Sequence, residues 1–177
     1  MPQDPDFSSK NRNDFRDLHL LAPAELLALQ ARILAELRTR NILRTGNTPT
    51  GDLAEHLFCR AFGWLQEPNS AKSHDAVGTD GHRYQIKGRR VLDRKGSRQL
   101  SALRDLDGFQ TLAAVLFDAG YGVQRAALIP VGIVRHLATV DRHTNSHRFL
   151  LRDAIWNLPG VIDATEDLRR AIGHPSA

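Results

Sequence analysis

A predicted hairpin centred on Asp80-Gly81 is the strongest structural signal in this chain. Asp-Gly favours a tight turn, and the run that follows it carries Gln85 and Lys87 two residues apart. Because side chains alternate along a strand, these two residues share a face, and the turn can bring Asp75 across to them. A carboxylate, an amide oxygen and an ammonium group at one point can hold a hard divalent cation beside an activated water. The hairpin therefore predicts the groups needed to cut a phosphodiester.

Length and composition indicate a globular protein of ordinary type. A chain of 177 residues, 41% hydrophobic and 25% charged, fits one domain with a proper core. No apolar run approaches the roughly 18–20 residues that cross a bilayer, and the polar N-terminus lacks the apolar segment of a signal peptide. The single cysteine, Cys59, excludes an internal disulfide and a multi-cysteine zinc site. We expect a cytoplasmic protein without a membrane partner.

Basic residues are concentrated next to the predicted hairpin. The net charge is +4, and a cluster opposed only by Asp93 lies between residues 83 and 104. If the hairpin is catalytic, this cluster lies where a phosphate backbone would run, and the alternative is a solvated basic loop. The expected nucleic-acid contacts are Arg89, Arg90, Arg94, Lys95 and Arg98. Arg98 is expected at the start of a helix, where backbone N–H groups favour phosphate.

The order of predicted elements gives the fold class. The patterns predict helices at residues 23–40, 51–62, 99–106, 130–138 and 165–172, and strands at residues 64–67, 75–77, 83–88, 111–117, 123–129 and 148–151. This order predicts an α/β fold, with a central mixed sheet of about five strands flanked by helices and an N-terminal amphipathic helix. Residues 1–20 are expected to be a flexible segment. Residues 21–177 are expected to form a single domain, with a core at about 48–140 and a C-terminal extension at 141–177.

Glu55 on the second predicted helix is a further candidate. Phe58, Cys59 and Phe62 follow Glu55 by three, four and seven residues, so they lie on the same side of the helix. Glu55 therefore borders an apolar strip. Such a carboxylate lies at the rim of a site, or its stem covers apolar surface while its head reaches water. Spacing alone leaves both interpretations open.

The motif and the order of elements together resemble a known family. Helix–strand–strand–strand–helix–strand, with Asp75 followed by Gln85-Ile86-Lys87, is similar to the core of the restriction-endonuclease-like superfamily, the PD-(D/E)xK nucleases. Glutamine in place of the acid resembles the QxK variant of Mrr-type restriction endonucleases. The run from residue 48 to about 168 also resembles a group of uncharacterised bacterial proteins with similar Tyr-Gln-Ile-Lys and Ser-Arg-Gln-Leu-Ser-Ala segments.

The resemblance implies a role for each motif residue. Asp75 would be the principal Mg²⁺ ligand, and Gln85 would offer its side-chain oxygen to the metal or to the attacking water. Lys87 would orient that water and offset charge on the phosphorane oxygens. Glu55 would complete the metal environment through water, and the carbonyl of Ile86 would be a further ligand.

The implied activity is Mg²⁺- or Mn²⁺-dependent hydrolysis of DNA, in restriction, repair or phage defence, and the implied assembly is a homodimer. Exchanging a carboxylate for the amide of Gln85 removes one negative charge from the site. Two interpretations follow, an active nuclease with weak metal binding or an inactive DNA-binding or assembly module. A third is an adaptor that recruits a partner through the apolar stripe at residues 26–37.

Overall fold

The computed structural model describes residues 15–68, 73–93 and 96–173. The chain divides into two compact units, Met1–Thr39 and Arg40–Ala177. In the first unit, a 3-10 helix at Phe15–Leu20 precedes helix α1, Pro23–Thr39. Pro23 suits the first helical position because its missing N–H would have no partner there. The predicted helix at 23–40 is therefore confirmed, whereas most of the predicted flexible segment lies outside the described residues.

The second unit is built on a six-stranded mixed sheet. The strands are β1 Leu65–Gln66, β2 Ala76–Val77, β3 Arg83–Arg90, β4 Thr111–Phe117, β5 Val123–Pro130, β6 Thr139–Asp141, β7 Ser146–Arg148 and β8 Ile162–Asp163. The strand order of the six-stranded sheet is β1-β2-β3-β4-β5-β8, and β6 and β7 form a separate two-stranded sheet. Only β3 and β4 pair in parallel; the other pairs are antiparallel. The predicted α/β class is confirmed, with one strand more than expected.

In the described part of the second unit, three α-helices accompany the sheet, α2 Pro49–Phe62, α3 Val131–Leu137 and α4 Thr165–Ile172, together with a 3-10 helix at Asp153–Asn157. Helix α2 ends as the sequence predicts, because Gly63 adopts a left-handed conformation at φ 66° that favours glycine. Helix α4 lies in the segment predicted to be an extension, yet its Leu168 is fully buried. Together with β8, which pairs with β5, it makes residues 162–172 part of the core unit.

Strand β4 separates two layers of core. Leu112 to Phe117 are all buried, which is typical of a strand covered on both faces. One layer contains residues of α2 and α4, including Leu57, Phe58 and Leu168. The opposite layer contains residues of α3 and of the segments at 91–109 and 149–155, among them Leu103 and Phe149.

The predicted helix at 99–106 is wrong. This part of the crossover from β3 to β4 is extended, with isolated bridges from Gln99 to Leu150 and from Leu103 to His147. Leu100, Leu103 and Leu106 are spaced as on one face of a helix, but the chain is not helical here and all three side chains are nevertheless buried. Pairing with residues more than 40 positions away replaces the local helix. The crossover thus departs from the helix that the family resemblance implies at this point.

No helix in the described ranges is long and apolar enough to cross a bilayer.

Candidate functional site

The hairpin forms as predicted, but β2 is very short. Gly81 lies in the turn at φ 80°, a conformation that favours glycine, and the carboxylate of Asp80 accepts a 3.0 Å hydrogen bond from the His82 N–H. Ala76 and Val77 pair with Tyr84 and Arg83, and the ladder then stops. The rest of β3 has no strand partner on this edge in the described part of the chain, so this edge is open.

Asp75 immediately precedes β2, at the point where the pairing between β2 and β3 ends. Its backbone N–H donates to the Tyr84 carbonyl at 2.8 Å. Its Oδ2 atom accepts hydrogen bonds from Nε2 of Gln85 and, at 2.6 Å, from the backbone N–H of Ile86. The carboxylate therefore caps the first backbone group that β2 leaves unpaired. The carbonyl of Ile86 points to the same open edge, because both backbone groups of a strand residue face one side.

A cleft of about 630 Å³ runs along this open edge. One wall is the N-terminal half of α2 with the loop before it, and the other is residues 86–90 of β3. Gly88 permits this approach, since a Cβ atom there would lie 2.8 Å from the Thr50 carbonyl and 2.9 Å from the Cβ of Ala54. Glu55 and Lys87 both line this cleft, Glu55 from the wall formed by α2 and Lys87 from the wall formed by β3.

Glu55 is held by two polar side chains. Its Oε2 atom accepts a 2.8 Å hydrogen bond from Nε2 of Gln66, and Nη1 of Arg44 lies 3.8 Å from the same oxygen. Burial raises the pKa of Glu55, and the negative charge of Asp75 raises it further. The hydrogen bond from Gln66 and the positive charge of Arg44 lower this pKa, but the net shift is upward. Glu55 is therefore a functional-site candidate and not only a stem covering apolar surface.

Glu55 and Asp75 come from opposite faces of the sheet: Glu55 lines the cleft, whereas Asp75 lies beside it and is hydrogen-bonded to the lining residue Ile86. Gln85 and Lys87 lie beside Leu112 and Ala114 of β4, whose side chains belong to the layer opposite α2. Asp75 bonds to Gln85 and shares that face. Glu55 extends from α2 on the other face, where it bonds to Gln66 of β1, the strand partner of the residue next to Asp75.

The oxygen donors at this edge suit a hard cation. The hydrogen bonds described for Asp75 end on Oδ2, and the contacts of Glu55 end on Oε2, which leaves Oδ1 and Oε1 for a ligand. The carbonyl of Ile86 adds a third oxygen at this edge. Carboxylate and carbonyl oxygens with water are what Mg²⁺ prefers. Within the described ranges, no group of three or more His, Cys, Asp and Glu side chains is arranged to hold a metal ion, so a cation at this edge would rely on fewer side-chain ligands and on water.

The amide of Gln85 faces Asp75 as a donor. Its Nε2 atom donates a hydrogen bond to Oδ2 of Asp75. A carboxylate in place of this amide would instead repel Asp75. Binding of a cation by the Gln85 oxygen therefore requires the amide to turn about its last side-chain bond.

The predicted nucleic-acid contacts divide into three groups. Arg89 and Arg90 line the cleft; Arg89 donates to the Ser97 carbonyl at 3.1 Å, and Arg90 lies 4.5 Å from the centre of the Tyr121 ring. Arg98 does not begin a helix but pairs with Asp153 at 2.8 Å, away from the cleft, so the helix-terminus argument for it is wrong. Arg94 and Lys95 lie outside the described residues.

Three contributors to the site were missed by the sequence analysis. Asp52 is buried and accepts 2.8 Å hydrogen bonds from the N–H groups of Arg44 and Thr45, which fixes the loop before α2. Arg44 and Gln66 then reach Glu55. Only Asp52 had a local signal, as an acid in the first turn of α2; the other two contacts span 11 residues and join separate elements.

Cys59 lies beside this network without a nucleophilic role. Burial, followed by the charge of Glu55, raises the pKa of its thiol to about 12. A thiol of this kind remains protonated near neutral pH and acts as a small apolar group.

No protein-family model matches this chain, and no curated protein is significantly similar to it.

Proposed function

We propose that this chain is a Mg²⁺-dependent endonuclease-like protein that hydrolyses phosphodiester bonds in DNA. The observation that carries the proposal is the cleft at the open edge of β3: Glu55 and Lys87 line it, and the Asp75 carboxylate is hydrogen-bonded to the backbone N–H of Ile86, another lining residue. We also infer membership in the restriction-endonuclease-like superfamily from the Asp75 and Gln85-Ile86-Lys87 motif. The hairpin and the open edge agree with that inference, whereas the extended crossover departs from it.

The two walls of the cleft carry opposite charge. Glu55 and Asp52 project from α2, whereas Lys87, Arg89 and Arg90 come from β3. A cleft that is acidic on one side and basic on the other fits a cation bound together with a phosphate. This arrangement favours a phosphodiester over a neutral substrate or an anion bound without a metal.

Asp75, Glu55 and the Ile86 carbonyl would hold the cation, directly or through its waters. A bound Mg²⁺ would polarise the phosphoryl oxygens and acidify a coordinated water. Lys87 would orient the attacking water and stabilise the negative charge that develops as one P–O ester bond breaks. Arg89 and Arg90 would bind the flanking phosphates and align the strand with this point.

A second candidate function is a DNA-binding or assembly module without catalytic activity. The hydrogen bond from Gln85 to Asp75 favours it, because the amide already provides the carboxylate with a hydrogen-bond donor in the absence of a metal. This module would bind DNA in a salt-sensitive manner, without turnover, and Asp75→Ala would not change its behaviour.

The deciding experiment is a cleavage screen with supercoiled plasmid and single-stranded DNA in Mg²⁺, Mn²⁺ or chelator. The nuclease proposal expects metal-dependent cleavage that Asp75→Ala abolishes while the variant still folds. DNA binding without turnover under every condition would favour the binding module. Cleavage that persists in chelator, or at an unchanged rate in Asp75→Ala, would overturn the proposed metal site.

A further inference from the structure

The two acids proposed to bind the cation, Glu55 in the cleft and Asp75 beside it, belong to different faces of the sheet. Asp75 is fixed to β3 by the Ile86 N–H, but Glu55 stands on a helix that packs against the other face of the sheet. A single cation can bind both acids only if Glu55 is held at the open edge. Mutual repulsion works against this, because two negative charges brought to one edge repel each other. Some group must therefore keep the Glu55 carboxylate near Asp75.

Gln66 meets this requirement through strand pairing. It lies opposite Ala76, the residue that follows Asp75, and the Glu67 N–H donates to the Asp75 carbonyl at 2.9 Å. The distance between Gln66 and the Asp75 backbone is thus fixed by the β1–β2 ladder. Residues directly opposite on antiparallel strands share a face, so Gln66 is directed toward α2. There its Nε2 atom donates to Oε2 of Glu55 at 2.8 Å.

Arg44 is the only other described side chain in contact with this oxygen, and it is less suited to the task. Its Nη1 atom is 3.8 Å from Glu55, whereas its Nη2 atom donates to the Glu67 carbonyl at 2.8 Å. A guanidinium group also repels a cation at the same carboxylate. The neutral amide of Gln66 fixes the carboxylate without opposing the ion.

We infer that Gln66 is a positioning residue, which holds Glu55 at the open edge of β3 so that Oε1 can bind a divalent cation shared with Asp75. The inference rests on the proposed function, because it assumes that the cleft binds a cation. Gln66 does not itself bind the ion. Partners that orient metal-binding carboxylates typically change metal affinity by about 10- to 100-fold when removed.

The test is calorimetric titration of the full chain with Mn²⁺, without DNA. Gln66→Ala and Gln66→Met, which keeps the length of the side chain but has no donor, are each expected to weaken Mn²⁺ binding by at least about tenfold. Gln110→Ala is the matched control, because Gln110 also makes a 2.8 Å hydrogen bond, to the Arg83 N–H, but lies away from the cleft. Chemical unfolding without metal verifies that each variant folds.

A double-mutant cycle separates positioning from a general structural effect. In a Glu55→Gln background, Gln66→Ala is expected to cause little further loss of Mn²⁺ affinity, because the carboxylate it orients is gone. Wild type that binds Mn²⁺ while both Gln66 variants bind equally well would overturn the inference and leave the proposed function intact. Wild type that fails to bind Mn²⁺ at millimolar concentration would overturn the proposed function and the inference with it.

Discussion

Strands β3 and β4 are parallel neighbours over seven residue pairs, yet they have opposite character. All residues of β4 from Leu112 to Phe117 are buried, whereas only Ile86 is buried in β3. β4 has a full partner strand on each side, and β3 has one on a single side and two paired residues on the other. Residues that pair with each other in this sheet therefore belong to the hydrophobic core in β4 and to the candidate site in β3.

This contrast shows that an interrupted ladder creates the site. Where β2 ends, the backbone of β3 meets the cleft, and polar side chains replace apolar ones. Gln85 lies opposite Leu112 and Lys87 opposite Ala114, so each polar residue has an apolar neighbour of β4 for comparison. Substitutions in these pairs test whether stability and activity are separated between the two strands.

The largest expected effect is on activity, from Lys87→Ala in β3. Loss of a group that stabilises transition-state charge should lower the rate of DNA cleavage by about 10²–10³-fold. The unfolding free energy should change little, because Lys87 is only half-buried. Plasmid nicking rates and urea unfolding provide the two measurements. Arg104→Ala, an exposed basic residue away from the cleft, is the control and should cut normally.

The next effect is on stability, from Leu112→Ala in β4. Leu112 is fully buried, so its truncation should lower the unfolding free energy by about 2–5 kcal/mol. Cleavage per folded molecule should be nearly unchanged, because Leu112 does not line the cleft. Gln85→Ala, at the position paired with Leu112, should lower the rate of cleavage and leave the unfolding free energy nearly unchanged. Equal destabilisation by both substitutions in urea unfolding would contradict the division between the strands.

A smaller effect is expected from Gln85→Glu, which introduces the acid found at this position in the motif of the proposed superfamily. One added charge near the cation should raise Mn²⁺ affinity about tenfold, by electrostatic attraction at short range. Without the cation, the variant should be less stable than wild type, because a carboxylate replaces the donor to Asp75. Titration calorimetry with Gln110→Glu as control measures this; unchanged affinity would place Gln85 outside the cation site.

The smallest effect is the pH dependence of Glu55. Its pKa is raised mainly by burial, so the folded protein binds this proton more readily than the unfolded chain does. Without the cation, the contribution of Glu55 to stability should improve as the pH falls through the raised pKa. Mn²⁺ affinity should weaken over the same range, because the cation must displace the proton. Glu55→Gln should remove both trends; parallel pH titrations of stability and binding test this.

Local patterns predicted most of the elements but not the crossover. The apolar run of β4, the proline before α3 and the glycine after α2 each act through neighbouring residues, and these elements were found. The segment at 99–106 failed because its leucines are buried by pairing with residues 147–150. Tertiary pairing of that kind leaves no trace in a short sequence window.

The candidate site likewise has contacts that local sequence patterns predicted and contacts that they did not. Asp75 and Gln85 are only ten positions apart, on either side of one hairpin turn, so turn chemistry and strand alternation were enough to bring them together. Gln66 and Arg44 reach Glu55 from β1 and from the loop before α2. These contacts depend on how α2 packs against the sheet, which side-chain alternation within one hairpin does not determine.

The early end of β2 also bears on solubility. Bare strand edges invite pairing between molecules, and charged side chains are a common defence against it. Arg89 and Arg90 lie along the exposed stretch of β3, so they would discourage intermolecular sheet growth as well as attract phosphate. A variant that replaces both with apolar residues is therefore prone to aggregate, and its loss of DNA binding is interpretable only if it remains monodisperse.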